Sequence, residues 1–153
     1  MKIAIGSDHA AFDLKQIVIQ HLKDRKIEVL DVGAHSPERT DYPIYGQRVA
    51  KAVVSGEADL GITICGTGIG IGISAGKVKG IRAAIVSDTY SARMARQHNN
   101  ANVLSFGARV VGPGLAEDLV DAFLDHEFEG GRHAKRVSLI ADIDAGEDIT
   151  EIP

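Results

Sequence analysis

A glycine-rich segment that begins with a cysteine is the part of the sequence best suited to chemistry. Four glycines stand at alternate positions directly after the only cysteine, Cys65: Gly66, Gly68, Gly70 and Gly72. Glycine lets the backbone approach a ligand closely, and N–H groups gathered at the start of a helix form an anion site. A simple strand-to-helix turn needs fewer glycines, so the pattern favours anion binding.

The same loop bears on the role of Cys65. A lone cysteine at the end of a buried strand is usually an inert core residue. Here the cysteine stands at the mouth of an amide-rich loop, which stabilises the thiolate form that serves as general base or nucleophile. We therefore expect Cys65 to take part in the chemistry.

Two other glycine-loop motifs fit less well. A Walker A loop needs Gly-Lys followed by Ser or Thr, but Gly76-Lys77 is followed by Val78. A dinucleotide fingerprint can be placed on residues 70–75, with Asp88 as the ribose acceptor, but it lies on the third strand unit and leaves no room for a second domain. An oxyanion cradle for a reaction intermediate is the third interpretation, and the functional role expected of Cys65 favours it.

Short apolar runs alternate with segments of helical periodicity, and this alternation predicts the fold. Strands are predicted at 2–6, 27–32, 60–65, 82–86 and 103–107, and helices at 12–25, 45–54, 89–98, 115–128 and 134–143. Such alternation implies an α/β fold of three layers, in which helices flank a five-stranded parallel sheet. One domain covers residues 1–153, and the acidic tail at 144–153 is expected to be frayed.

Polar residues follow the predicted strands at the edge where parallel sheets bind ligands. Ser7-Asp8-His9 follow the first strand and Gly107-Ala108-Arg109 follow the fifth. Later in the chain, Arg132 and Arg136 stand four positions apart and would lie on one helical face, able to converge on a dianion. Exposed arginines are usually only solvated, but the two glycines and the histidine beside Arg132 favour phosphate binding.

Composition excludes several classes of partner and site. The net charge of −4 argues against general binding of nucleic acid or anionic membranes. One cysteine cannot form an internal disulfide, and no signal-peptide pattern or membrane-spanning apolar run is present, so we expect a cytoplasmic protein. No spacing of His, Cys, Asp and Glu resembles a zinc or calcium site, so neither metal nor cofactor is expected.

Six segments, in order, resemble the B-type ribose-5-phosphate isomerase family. They are residues 6–11 (GSDHAA), 41–43 (DYP), 64–70 (ICGTGIG), 80–84 (GIRAA), 98–102 (HNNAN) and 130–137 (GGRHAKRV). The cysteine–glycine loop and the His-Asn-x-Ala-Asn segment are specific in combination. The resemblance implies a Rossmann-like fold and a metal-independent isomerase that interconverts ribose 5-phosphate and ribulose 5-phosphate through an enediolate.

The resemblance also implies roles for individual residues. Cys65 would remove the proton at C2, Thr67 would assist proton movement near O1 and O2, and His98 would help to open the furanose ring. The loop residues Gly66, Gly68, Ile69 and Gly70 would hold the enediolate oxygen through their amides. The other substrate-binding residues would hold hydroxyls (Asp8, Asn99), line the pocket (Tyr42) or bind the phosphate (His9, Arg109, Arg132, Arg136).

Relatives within this family leave two alternatives open. Galactose-6-phosphate isomerase subunits keep the glycine loop but often lack the His-Asn pair and the late Gly-Gly-Arg segment, both of which this sequence has. A hexose-6-phosphate isomerase for allose or galactose 6-phosphate remains an alternative, as does a sensor that binds a sugar phosphate or nucleotide. Gly72, Gly76 and Lys79 depart from the family pattern and bear on loop rigidity and preferred sugar length. The family works as a homodimer, sometimes paired into tetramers, with sites shared between subunits.

Overall fold

The computed structural model of the chain describes residues 1–150, in which strands and helices alternate. The strands are β1 (Lys2–Ser7), β2 (Glu28–Asp31), β3 (Leu60–Cys65), β4 (Ala83–Ile85) and β5 (Val103–Gly107). The helices are α1 (Phe12–Asp24), α2 (Tyr42–Val54), α3 (Ile69–Gly76), α4 (Thr89–Asn99), α5 (Pro113–Leu124) and α6 (Arg132–Asp144), and a short 3-10 turn (His9–Ala11) precedes α1.

All five strands are parallel and form one sheet in the order β2-β1-β3-β5-β4. The chain leaves β1 toward one edge of the sheet and then crosses to the other side, where it adds β3. This reversal opens a crevice between the carboxyl ends of β1 and β3, the position at which parallel α/β sheets bind ligands. The α/β architecture predicted from the sequence is confirmed.

Helices cover both faces of the sheet. On one face, large apolar side chains such as Ile5, Ile62 and Phe106 pack against α1, α4 and α5. The other face carries small residues, and there α2 lies very close to the sheet. A Cβ added at Gly61 would stand 2.5 Å from Val49 Cγ1, so the glycine is what permits this approach. The central strand β3 is buried along its whole length.

The helix α3, which follows the glycine loop, is absent from the predicted elements. Its glycines and isoleucines have low helix propensity, so only tertiary packing stabilises it. α2 supplies that packing, since a Cβ on Gly46 would lie 2.6 Å from the carbonyl oxygen of Ile71. The close contact fixes the start of α3 relative to the sheet.

Several predicted boundaries also shift. α2 begins at Tyr42 and carries Pro43 in its first turn, where a proline costs no hydrogen bond. α5 begins at Pro113 and ends at Leu124, four residues before its predicted end. Residues 145–150 are exposed and contain neither helix nor strand, and the rest of the predicted frayed tail, 151–153, lies outside the described residues. Within residues 1–150, each helix is too short or too polar to cross a membrane.

Candidate active site

Asp8 and Cys65 border the crevice from neighbouring strands. The register pairs Ser7 of β1 with Ile64 of β3. The residues that follow these two, Asp8 and Cys65, therefore lie side by side at the crevice. The amide of Asp8 donates to the carbonyl oxygen of Ile64 at 3.3 Å, and Asp8 Oδ1 accepts from Ala11 N at 3.3 Å. Both Asp8 and Cys65 are buried. The sheet therefore brings these two predicted site residues together.

The loop after Cys65 folds back over its sulfur. Gly68 adopts a left-handed conformation, with φ of 79°, and caps the start of α3. Its N–H donates to Cys65 Sγ at 3.1 Å. A donor at this position lies where the negative charge of a thiolate would develop, so the loop is built to hold that charge.

Three of the loop glycines are closely packed, against rigid backbone at Gly68 and against the outer part of a side chain at Gly70 and Gly72. A Cβ on Gly68 would lie 2.4 Å from the carbonyl carbon of Phe106, one on Gly70 2.6 Å from the Tyr42 ring, and one on Gly72 2.6 Å from Ile85. The glycine spacing that favours anion binding therefore has a firm steric cause at Gly68, where φ is also positive. Gly66 differs, because its nearest such neighbour is the Arg109 guanidinium at 3.6 Å.

The loop is also pinned to β5. Ser105 Oγ donates to the carbonyl oxygen of Gly68 at 2.6 Å. A Cβ on Gly107 would lie 2.5 Å from the carbonyl carbon of Thr67, so the two backbones are in contact. Thr67 itself is exposed, and its Oγ1 accepts from Ile69 N at 3.3 Å. The loop is thus held rigidly, while the Thr67 hydroxyl remains free to meet a ligand.

Arg109 supplies positive charge at this edge. Its amide donates to the carbonyl oxygen of Gly66 at 3.0 Å, and the amide of Ala108 donates to the carbonyl oxygen of Cys65 at 2.9 Å. These bonds place the exposed Arg109 side chain beside the loop. Together with the first amides of α3, it can attract an anionic ligand.

His9 lies at the same edge and is held by the segment that leads into α2. His9 Nδ1 stands 3.2 Å from Thr40 N and 3.1 Å from Thr40 O. Thr40 Oγ1 in turn lies 2.9 Å from Tyr45 Oη on α2. The ring of His9 is therefore oriented by its surroundings, as a binding residue requires.

Asp88 has a local role that replaces its suggested function as a ribose acceptor. It caps α4, and its Oδ1 accepts from Ser91 N at 2.7 Å. This hydrogen bond from Ser91 lowers the pKa of the carboxyl below its usual value. The carboxylate is thus occupied by the helix, which removes one support from the dinucleotide-binding interpretation.

The other predicted site residues lie elsewhere. α4 starts after the carboxyl end of β4 and must run back across the sheet to reach the amino end of β5. A helix of 11 residues is about 16 Å long. His98 and Asn99, at the end of α4, therefore lie near the amino edge of the sheet, away from Cys65. Arg132 belongs to the same region, since α6 packs on α4.

A cluster of ionisable side chains forms at this amino edge. The rings of His98 and His133 stack, with centroids 4.0 Å apart and planes within 10°. Glu129 Oε2 stands 3.8 Å from His98 Nε2 and 3.7 Å from His133 Nε2. Arg132 Nε lies 3.4 Å from His133 Nε2. Glu129 is not among the predicted site residues, because its partner His98 is distant along the chain, although His133 lies only four positions from it.

The pKa of His133 is shifted by this environment. Burial disfavours the imidazolium, and the nearby charges of His98 and Arg132 act in the same direction, while Glu129 opposes them. The net effect lowers the pKa of His133 below its ordinary value. His133 is therefore mainly neutral at pH 7.

Fold and site together define the class of protein: a Rossmann-like α/β protein with a thiol beneath a glycine-rich loop at the carboxyl edge of its sheet. The sequence profile of the Ribose/Galactose Isomerase family matches residues 3–140. The chain belongs to this family, as its sequence motifs indicated.

Individual relatives are similar over nearly their whole length. The ribose-5-phosphate isomerase B of Escherichia coli K12 is 55% identical over 143 residues, which cover 94% of this chain and 96% of that protein. A D-erythrulose-4-phosphate isomerase of Pectobacterium atrosepticum is 47% identical over 142 residues, covering 92% and 93%. The solved structure of Clostridium thermocellum ribose-5-phosphate isomerase B superimposes with a TM-score of 0.94 at 55% identity, covering 95% of this chain and 99% of that one.

Proposed function

We propose that this protein is an aldose–ketose isomerase that interconverts ribose 5-phosphate and ribulose 5-phosphate. The observation that carries the proposal is the Cys65 sulfur, which lies in the crevice beneath the N–H of Gly68. A sugar-phosphate sensor would need the anion-binding loop but no thiol under it. The similarity to proteins named ribose-5-phosphate isomerase B, at 55% identity, supports the choice of sugar.

The chemistry needs a base, an oxyanion site and an anchor for the phosphate. The Cys65 thiolate would take the proton from C2 of the open-chain aldose and return it at C1. Amides of the glycine loop would stabilise the enediolate formed between these steps, and because they are held in place they need no reorganisation. Thr67 would move the proton between O1 and O2, and Asp8 would hold a sugar hydroxyl. No metal has a part in this scheme.

The phosphate and ring-opening residues divide between the two edges of the sheet. Arg109 and His9 lie at the carboxyl edge with Cys65, whereas His98, Asn99 and Arg132 lie near the amino edge. One chain therefore does not bring all of them to one ligand. We propose that a second copy of the chain completes the site, so that the enzyme works as a homodimer, with a pair of dimers as the larger form.

The surface around α3 fits such an interface. Ile69 and Ile73 are one helical turn apart and are 52% and 53% exposed. An apolar groove next to them is lined by Ile73, Ile85 and Ile140, and Asn99 stands at its side. A second copy seated on this face would cover the isoleucines and lie against the glycine loop. We also propose that the enzyme works in the cytoplasm, where a free thiol such as that of Cys65 stays reduced.

An assay with purified protein tests the function. Ribose 5-phosphate, allose 6-phosphate, galactose 6-phosphate and erythrulose 4-phosphate are offered in parallel, each with and without EDTA. We expect turnover of the pentose phosphate to exceed that of the others and to survive EDTA. Preference for a hexose or tetrose phosphate would change the substrate but keep the isomerase, whereas no turnover of any sugar would contradict the proposal.

A further inference from the structure

The cluster of His98, Glu129 and His133 has the composition of a metal site. His98 lies in the last turn of α4, His133 lies in the first turn of α6, and Glu129 lies in the segment that precedes α6. One ligand atom from each of the three lies within 4.8 Å of the others. Within one chain the cluster is separate from the Cys65 loop, and the isomerisation described above requires no metal there.

We propose that these three residues bind a late first-row divalent cation, with Zn²⁺ as the preferred ion. Two imidazoles and one carboxylate are a donor set found in zinc sites that keep a fourth position open for water. Imidazole ligands favour zinc, copper, nickel and cobalt over magnesium and calcium, which prefer oxygen ligands alone. The chemistry of the donors therefore selects the class of ion.

The distances are close to those that such an ion needs. Ligand atoms about 2.1 Å from a tetrahedral zinc ion are about 3.4 Å from one another. The two Nε2–Oε2 distances to Glu129 are 3.8 Å from His98 and 3.7 Å from His133. A contraction of a few tenths of an ångström brings Glu129, whose side chain is 49% exposed, to the distance that an ion needs from both imidazoles. The ligand atoms of His98 and His133 lie within 4.8 Å of each other and must also move closer together. The stacked rings must also tilt so that their lone pairs converge.

The charges around the cluster set its affinity. Glu129 supplies the negative charge that attracts the ion. Arg132 Nε donates a hydrogen bond to His133 Nε2 at 3.4 Å, which an ion bound to this atom must displace. The charges of Arg132 and Arg136 both act on His133 and oppose a bound cation. We therefore expect moderate, reversible binding, and tighter binding when the charge of Arg132 is removed.

Metal binding would have a consequence for activity that rests on the proposed function. That function assigns ring opening to His98, and a bound ion would occupy its Nε2 atom. Zn²⁺ would then inhibit turnover of ribose 5-phosphate, and EDTA would reverse the inhibition. The site would make the isomerase sensitive to free zinc without making it zinc-dependent.

The binding test uses the full chain without a histidine tag and carries Cys65→Ser, so that the thiol cannot bind the ion. Zn²⁺ is titrated calorimetrically, and Co²⁺ is added separately to follow its visible absorption. We expect one saturable site per chain, with Mg²⁺ giving no heat. In this background Glu129→Gln or His133→Asn should raise the Kd for Zn²⁺ by about tenfold or more. Arg132→Gln should lower it.

Matched controls come from the same part of the chain. Glu127→Gln and His126→Asn remove a carboxylate and an imidazole outside the cluster and should leave the Kd unchanged. Circular dichroism confirms the fold of each variant, and the exposure of Glu129 makes Glu129→Gln the variant least prone to unfold. The proposal is wrong if no saturable site appears, or if Glu129→Gln binds Zn²⁺ as tightly as Glu127→Gln does.

A kinetic arm separates this proposal from the proposed function. With native Cys65, zinc inhibition of ribose 5-phosphate turnover should persist in Glu127→Gln and weaken in Glu129→Gln. If zinc binds at the cluster but the protein turns over no sugar phosphate, the metal site stands and the isomerase assignment fails. If turnover is normal and the calorimetric site is missing, the isomerase stands and the metal site is rejected.

Discussion

The carboxyl and amino edges of the sheet carry two groups of polar residues that are built differently. At the carboxyl edge, contacts with β5 hold the backbone of the Cys65 loop: Ser105 Oγ donates to Gly68 O at 2.6 Å, and the backbone of Gly107 meets that of Thr67. At the amino edge, side chains from two helices and a connecting segment meet at 3.4–3.8 Å with few close hydrogen bonds. The first region is preorganised by the sheet, whereas the second is adjustable and open to a further ligand or chain.

In the proposed enzyme, this difference corresponds to different steps of the reaction at the two edges. In the proposed mechanism, stabilising the enediolate requires donors that are fixed before the charge develops, and the loop clamped on β5 supplies them. In the same proposal, side chains of the amino edge open the sugar ring and share the phosphate with Arg109 and His9 of the carboxyl edge. We therefore expect changes at the carboxyl edge to act on the chemical step, and changes at the amino edge to act mainly on the substrate form, assembly and ion binding.

The largest effect is expected from Cys65→Ala at the carboxyl edge. Loss of the base should lower kcat for ribose 5-phosphate by about 10²–10⁴-fold, the usual contribution of a general base. The change is small in volume, so the thermal midpoint should stay near that of the native chain. Steady-state kinetics and thermal unfolding check both statements. A kcat within a few-fold of the native value would remove Cys65 from the mechanism.

His98→Asn tests the amino edge in the same assay. We expect turnover of furanose ribose 5-phosphate to fall by about 10²-fold, the lower end for acid–base groups. Erythrulose 4-phosphate has no free hydroxyl with which to form a furanose, so any turnover of it should be nearly unaffected. His126→Asn is the matched control. An equal loss with both sugars would place His98 in the isomerisation itself.

Ile73→Asp tests whether the amino-edge residues of one chain complete the Cys65 site of a second copy. The charge would be buried in the proposed interface, so the variant should sediment as a monomer and lose most of its activity. Ile17→Asp, at an exposed position on α1, should change neither property. Analytical ultracentrifugation and the isomerase assay make the comparison. A fully active monomer would show that one chain completes the site.

Gly68→Ala tests how rigidly the loop is held. A Cβ there meets the Phe106 backbone at 2.4 Å, and φ is 79°, so we expect a loss of about 1–3 kcal/mol in the free energy of unfolding. Gly114→Ala in α5 is the control, because a Cβ there has no neighbour within 4 Å. Urea unfolding measures both. Equal stability of the two variants would contradict the clamped loop.

The smallest effect is expected on the pH dependence of stability, through His133 at the amino edge. The folded state lowers the pKa of His133, so the unfolded chain binds a proton there more readily. Stability from this residue is therefore present above the unfolded pKa and falls as pH drops through about 6.5. Urea unfolding at pH 7.5 and 5.5 should show a smaller pH dependence in His133→Asn than in the native chain. An unchanged dependence would remove His133 as its source.

The sequence was sufficient for the features that are local along the chain. The apolar run at 60–65 predicts a buried strand, and β3 has those bounds. The position of Cys65 at its end follows directly, as does the glycine loop after it. α3 was missed because its residues have low helix propensity and its stability comes from contact with α2.

Other features depend on residues that are far apart in sequence. The steric need for Gly68 comes from Phe106, and the surroundings of His98 come from Glu129 and His133, which no local pattern connects. The family resemblance named His98 as a site residue. Its place at the opposite edge from Cys65 follows only from the direction of α4.

The sequence by itself determined the order of the five strands and of the helices other than α3, the family, and the thiol that stands at the loop. Hydrophobic periodicity and glycine spacing encode these properties over a few residues. The tertiary structure decided which residues meet, because that depends on the strand order β2-β1-β3-β5-β4 and on the path of each helix across the sheet. Packing over the whole fold determines this strand order and these helix paths. The resulting arrangement separates Cys65 from His98 and brings His98, Glu129 and His133 together.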